Sequence, residues 1–155
     1  KRKILMPINL LKDNVIQQIV LDNKFKTDDT TRVLSKDILV KRISPSFVNY
    51  IDNIEDDVYA AANMIIIRAV SVVPKYLAFI LNDEINKITQ SLVGAKIPAL
   101  GRSNLEEIQI PIIPYDRQVA VGELWYNSIE MMKLKSKLNE LESLKNIATL
   151  NNFIR

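Results

Sequence analysis

Ser103-Asn-Leu-Glu-Glu-Ile-Gln-Ile-Pro-Ile-Ile-Pro-Tyr-Asp-Arg-Gln118 is the stretch on which the fold turns. Ser103 followed by Glu106 fits a capping box, in which the hydroxyl accepts from the amide three residues on and the carboxylate reaches back. That predicts a short helical turn over Asn104–Glu107. Ile108, Ile110 and Ile112 then alternate with Gln109 and Pro111, the period of a short strand, which Pro111 confines to a sheet edge or a strand end. Pro114 closes that strand, and Asp116 takes the N-cap position of a helix. No proline follows, and Gly122 is the only glycine, so one helix is predicted from Asp116 to about Leu150.

At ~1.5 Å per residue this helix is a rod of about 50 Å, too long to be covered by one small domain. Leu134, Leu138, Leu141 and Leu144, continued by Ile147 and Leu150, recur in the steps of three and four that make a coiled-coil seam. Lys133, Lys135, Lys137, Glu140, Glu142 and Lys145 flank them. Upstream, Val121, Leu124, Trp125, Ile129 and Met132 form a broader face suited to packing on a domain. The helix is either a core-packing terminal element or a spacer that dimerises. An exposed leucine stripe is a liability unless paired, which favours the second reading.

Upstream of Ser103 the chain reads as mixed α and β structure. Ile4–Ile8 is a short strand; Leu10–Lys26 fits a helix or extended structure equally; Thr27–Thr31 is a polar loop. Ile38–Ile43 is a strand, Ser44-Pro45-Ser46 a turn, and 49–57 an acidic loop. Val58–Val73 is an almost continuous apolar run, hence one strand buried on both faces or two in succession, with Arg68 interrupting it. Pro74 fits the first turn of a helix carried by Tyr76, Leu77, Phe79, Ile80 and Leu81, with Asn82-Asp83 either breaking it or bridging into Glu84–Leu92. Gly94–Gly101 reads as a loop with a short strand. The fold class is therefore α/β (α+β), with a domain over 1–112 and a long coiled-coil helix over 113–155.

Composition narrows the chemistry. The chain contains neither Cys nor His, which removes a disulfide framework, the usual zinc sites and the commonest general base. Glu55, Asp56 and Asp57 could chelate a hard cation, but such a run is more simply a solvated loop. Only three glycines are present, and no phosphate-cradling glycine pattern occurs. No cofactor or metal is expected. Residues 1–112 carry 15 basic and 13 acidic groups and 113–155 carry 6 and 5, so neither part is strongly polarised. Any basic surface must be gathered by the fold. The basic opening Lys1-Arg2-Lys3 precedes too short an apolar run for a signal peptide, and no run reaches the roughly 18 residues of a membrane span. The chain opens without a methionine, as a piece of a longer one would.

Leu105, Ile108, Ile110, Pro111, Pro114, Asp116 and Gln118 resemble the end of the target recognition domains in the specificity subunits of type I restriction-modification systems. There a Leu-x-x-Ile-x-Ile-Pro-x-Pro segment is followed by an acidic residue, Gln and a long helix. Here the tail reads Pro114-Tyr-Asp-Arg-Gln118, one position longer, with Asp for Glu. Val73-Pro74-Lys75-Tyr76-Leu77 matches the family's Pro-x-Tyr-Leu, and Ser35-Lys36-Asp37-Ile38-Leu39 resembles its Gly-Asp-Ile-Leu turn with Lys36 in place of Gly. A turn that needs positive φ would leave Lys36 mildly strained.

The resemblance implies a cytoplasmic, non-catalytic subunit that reads double-stranded DNA. A modification (methyltransferase) subunit and a restriction subunit would do the chemistry. It also implies helices that pair antiparallel and set the distance between two recognition domains, so a one-domain chain would homodimerise through Leu134, Leu138, Leu141 and Leu144.

DNA contacts require Lys and Arg for phosphates and Arg, Lys, Asn, Gln or Ser for base edges. Three places could supply them: Lys41-Arg42 with Ser44 and Ser46; Lys96; and Arg102 with Ser103 and Asn104. Lys41 and Arg42 read equally as strand-end charges, and Ser103 more simply as a cap. Arg68 is a buried structural pair or a base reader, and Lys24, Lys26 and Lys36 are further phosphate candidates. Two other readings stand beside this one: a recognition module of a single-chain restriction-methylation enzyme, and an adaptor that binds only protein through its leucines.

Overall fold

The computed structural model describes residues 2–17, 19–21, 24–91 and 99–155. In chain order the elements are β1 (Lys3–Leu5), β2 (Leu10–Leu11), β3 (Val15–Ile16), β4 (Val20–Leu21), β5 (Ile38–Lys41), β6 (Val48–Tyr50), β7 (Val58–Ala60), β8 (Met64–Ile67), α1 (Pro74–Ser91), α2 (Arg102–Glu106) and α3 (Tyr115–Ile154). One sheet runs β4-β1-β7, with β1 and β7 parallel; the other runs β6-β5-β8 and is antiparallel throughout; β2 and β3 form a separate hairpin. The expected α+β domain with a long C-terminal helix is the observed architecture.

β5 is buried on both faces, and its period of two divides the core. Ile38 and Val40 join Val48, Tyr50 and the α1 residues Leu77, Ala78, Leu81 and Ile85 on one side. Leu39, between them, joins Leu5, Leu10, Val33, Val58 and Ala60 on the other. Leu77, Leu81 and Ile85 stand four apart, so one stripe of α1 covers the sheet. Asn82 and Asp83 do not break that helix: both lie outside the stripe, and Asp83 instead bonds Lys87 one turn on at 2.6 Å.

The described residues of Leu10–Lys26 form the short strands β2, β3 and β4 and no helix. The turn of the β2–β3 hairpin is tied to the second sheet. Asn14 exchanges hydrogen bonds with the backbone of Tyr50, and the buried Asn49 Nδ2 donates to the carbonyls of Leu11 and Val15. Asn49 and Tyr50 therefore belong to a strand, β6, and the acidic loop begins only after them. The apolar run 58–73 resolves into two strands in succession, β7 and β8, which enter different sheets across a turn at Asn63 (φ 65°).

Ile108–Ile112 is not a strand. Pro111 and Pro114 lack the N–H a ladder needs, and the segment runs extended along α1, where the Tyr76 hydroxyl donates to the Pro111 carbonyl at 2.8 Å. The helical turn before it also differs from the capping-box reading. Its N-cap is Gly101, whose amide donates to Asn104 Oδ1 at 2.8 Å, while Glu106 pairs with Arg102 at 2.6 Å. The cap thus lies two residues before Ser103.

α3 begins at Tyr115 with Pro114 as N-cap; Asp116 sits in the first turn, where a negative charge favours the helix dipole. Buried Gln118 receives the Val73 amide at 3.0 Å and donates to the Ile113 carbonyl at 2.9 Å, so it fastens α3 to both the start of α1 and the extended segment. Gly122 is buried at the crossing: a Cβ there would lie 2.8 Å from Lys75 Cβ and from the Tyr76 backbone N. Trp125 and Tyr126 pack against the α1 core, and Tyr126 meets Tyr50 edge-on at 5.7 Å. From Leu134 onward every residue of the helix is exposed.

The Ser35–Asp37 turn keeps its geometry with a lysine at the strained position. Lys36 has φ 70°. The Asp37 carboxylate accepts from the Leu34 amide at 2.7 Å, which holds the turn closed. A left-handed non-glycine residue costs about 1–2 kcal/mol and glycine's extra backbone entropy about 0.5–1. Lys36→Gly is therefore expected to raise stability slightly, by about 0.5 kcal/mol, read as a higher denaturation midpoint in urea. A lower midpoint would show that the lysine side chain contributes more than the strain.

Candidate nucleic-acid interface

The residues that the sequence singles out fall into three structural classes. The first is a cluster at the C-terminal end of β5. Arg42 continues that strand: its amide donates to the Asn63 carbonyl, its carbonyl accepts from the Leu100 amide, both at 3.0 Å, and its Nε donates back to the Leu100 carbonyl at 2.6 Å. Leu100 is itself buried in the α1 core, so this arginine is held by one nitrogen. Its two terminal nitrogens bond nothing among the described residues. The same exchange brings Gly101, Arg102 and Asn104 beside β5, although sixty positions separate them in the chain.

Arg102 is 85% exposed, and its partner Glu106 is 61% exposed. An ion pair this open contributes little stability and is readily exchanged for a phosphate. Asn104 spends its carbonyl oxygen on Gly101 and keeps its amide nitrogen. Lys41 lies over the Phe47 ring at 5.4 Å, Ser46 donates to the Arg42 carbonyl at 3.3 Å, and Ser44 is exposed in the turn between β5 and β6. A groove of about 470 Å³ runs between the outer edge of β8 and α2, with Arg102 on one wall and Arg68 on the other. Lys96 lies outside the described residues.

The second class is structural. Arg68 donates to both oxygens of Asp37, at 2.8 and 3.1 Å, and to the Arg32 carbonyl at 2.7 Å. Asp37 is only 2% exposed. The hydrogen bonds to Asp37, with its negative charge, hold the guanidinium above its ordinary pKa. Of the two readings of Arg68, the structural pair is the one present, although only its Asp37 partner is buried and the arginine side chain is 47% exposed: Nε and one terminal nitrogen are committed to a carboxylate that also closes the Lys36 turn. In the acidic run, Asp57 bonds Arg32 at 2.6 Å and Asp56 bonds Lys3, so this loop braces the first sheet. Among the described residues no group of three acidic side chains is arranged to hold a metal ion, and no helix is long and apolar enough to cross a membrane.

The third class is the leucine stripe. Leu134, Leu138, Leu141 and Leu144 are 69%, 56%, 54% and 56% exposed, and Met131 is 57% exposed. None of them contributes to the core clusters of the domain. Seven successive apolar side chains on one projecting helix are left in water.

Sequence reading missed Asn63 as a neighbour of Arg42, because register across β5 and β8 is not readable from either strand alone. The signal available was an Ala-Asn turn inside an apolar run. It also missed Gln118 and Gly122 as the clamp and crossing point of α3, treating the first only as a motif position and the second only as a lone glycine.

No curated protein matches this chain. The family model described as the type I restriction modification DNA specificity domain matches residues 8–143. That span takes in the whole of the second sheet, β4 and β7 of the first, the Arg42–Leu100 cluster and the packed half of α3. With the motif positions Leu105, Ile108, Pro111, Pro114 and Gln118 placed at the junction of domain and helix, this chain belongs to the family of type I restriction-modification DNA specificity domains.

Proposed function

We propose that this chain is the DNA-reading subunit, or half-subunit, of a type I-like restriction-modification system. In this reading residues 1–112 form the recognition domain and residues 113–155 the helix that pairs with a second copy and fixes the distance between two half-sites. The chain acts by binding alone, in the cytoplasm. A separate modification subunit methylates adenine with S-adenosylmethionine, and a restriction subunit cuts.

The observation that carries the reading is the convergence at the end of β5. Arg42 is held by Nε with terminal nitrogens that bond nothing among the described residues, and Arg102, two positions beyond the Leu100 that Arg42 bonds, sits in a weak, open ion pair. Arginine forks are the commonest readers of guanine edges and bind phosphates bidentately. Lys41, Ser44, Lys96 and Asn104 complete the candidate contact set.

The test is selection from a randomised duplex library with the purified chain, alone and with its modification subunit. The expected result is enrichment of an interrupted, twofold-related site. Arg42→Ala with Arg102→Ala is expected to lower affinity for that site at least tenfold, at about 1–3 kcal/mol per base-reading pair. Failure to enrich any site over random duplex, under both conditions, overturns the proposal. The exposed stripe leaves a second reading, a protein-only adaptor. It is favoured if the arginine substitutions leave function intact while Leu138 and Leu141 are indispensable.

A further inference from the structure

The residue across the ladder from Arg42 is not basic. β8 pairs with β5 so that Met64 stands opposite Lys41, and one step further the Arg42 amide donates to the carbonyl of Asn63 at 3.0 Å. Asn63 closes the turn between β7 and β8 in the left-handed region, with φ 65°. Its residue is exposed, and its carboxamide bonds nothing among the described residues. The backbone beneath that carboxamide is held by Arg42 through the hydrogen bond just given, and Arg42 is in turn bonded to Leu100 in the core. The result is an exposed carboxamide on a hydrogen-bonded turn, across the ladder from an arginine whose terminal nitrogens bond nothing among the described residues.

A carboxamide held in this way has one donor and one acceptor side by side, the pattern that matches the N7 and N6–H of adenine. Little rotational freedom is left in its backbone, so little is lost on binding. Resting on the DNA-recognition reading above, we infer that Asn63 is a specificity-determining residue that takes an adenine edge beside the base or phosphate held by Arg42.

Asparagine is also a common occupant of left-handed turns for purely conformational reasons, and the test must separate the two roles. Asn63→Gly does so. Glycine keeps the left-handed backbone without steric strain and removes only the carboxamide. The wild-type chain is first used to select its site, and both proteins are then titrated with that site and with random duplex over a range of salt. Asn63→Gly is expected to lose about 5- to 150-fold in affinity for the selected site. Its affinity for random duplex, its salt slope and its melting temperature are expected to stay as in the wild type. Repeating the selection with Asn63→Gly is expected to relax one adenine position in each half-site.

Retention of the full wild-type preference by Asn63→Gly overturns the inference while leaving the recognition reading intact. An equal loss on selected and random duplex also overturns it, assigning Asn63 to a phosphate or to the fold. A wild type that selects nothing overturns both the inference and the reading beneath it.

Discussion

Leu138→Glu with Leu141→Glu is expected to turn a dimer into a folded monomer, read as a halving of mass by light scattering. The two positions lie on the line of Met131 and Leu134, the four-residue, three-residue alternation that faces a partner helix. From Leu141 the apolar residues advance by threes, which carries Leu144, Ile147 and Leu150 progressively round the helix and away from that line. The centre of the seam is therefore where substitution costs most. Burying a leucine contributes roughly 1.5–3 kcal/mol. A symmetric pair loses four of them, and it would have to bury four carboxylates in their place. Micromolar to nanomolar association amounts to about 8–12 kcal/mol, so the loss is enough to abolish it.

The same substitutions are expected to leave the melting of the domain unchanged, because no residue of α3 after Lys133 is even partly buried. Helix content should fall as well as mass. The last six turns or so of α3 have no tertiary support of their own, and most helical stability in proteins comes from packing an apolar face rather than from propensity. A wild-type monomer at micromolar concentration would sink the homodimer and assign the stripe to a different chain.

Gly122→Val carries the largest expected effect on folding. A Cβ at 122 would sit 2.8 Å from two atoms of α1, one of them the backbone N of Tyr76. Backbone cannot rotate aside as a side-chain tip can, so α3 must lift from α1. That displacement reaches Gln118, which bonds the Val73 amide and the Ile113 carbonyl, and Trp125 and Tyr126, which close the core beyond it. Overpacking costs about 1–3 kcal/mol, and each buried amide or carbonyl left without a partner adds about 1–3 more. A loss of about 3 kcal/mol is expected in urea denaturation followed by circular dichroism. For Gly122→Ala the clash is partly offset by about 1 kcal/mol of helix propensity, so a smaller loss in the same direction is expected. Wild-type stability in Gly122→Val would mean that α3 does not cross α1 at this point.

What the sequence determined by itself is whatever period and punctuation encode. The long helix is plain because forty residues pass without a proline and with one glycine, and the strand at β5 is plain because Ile38-Leu39-Val40 is a continuous apolar run, as burial on both faces requires. The Pro-rich junction, read together with the Gln118 motif, pointed to the family. Local chemistry that depends on neighbours far along the chain was not legible. Asn104 rather than Ser103 satisfies the end of α2, because Gly101 rather than Ser103 is the residue in the cap position. Ile108–Ile112 has the period of a strand but no ladder: Pro111 removes a donor within it and Pro114 closes it two residues on.

Only the tertiary structure decided between the two readings of Arg68, by placing Asp37 against its guanidinium across the sheet. Only the register of β5 with β8 set Arg42 beside Asn63, and only the return of the chain at Leu100 brought the start of α2 to the end of β5. Pairing of this kind is a property of two segments and of what each buries, so neither segment alone can announce it.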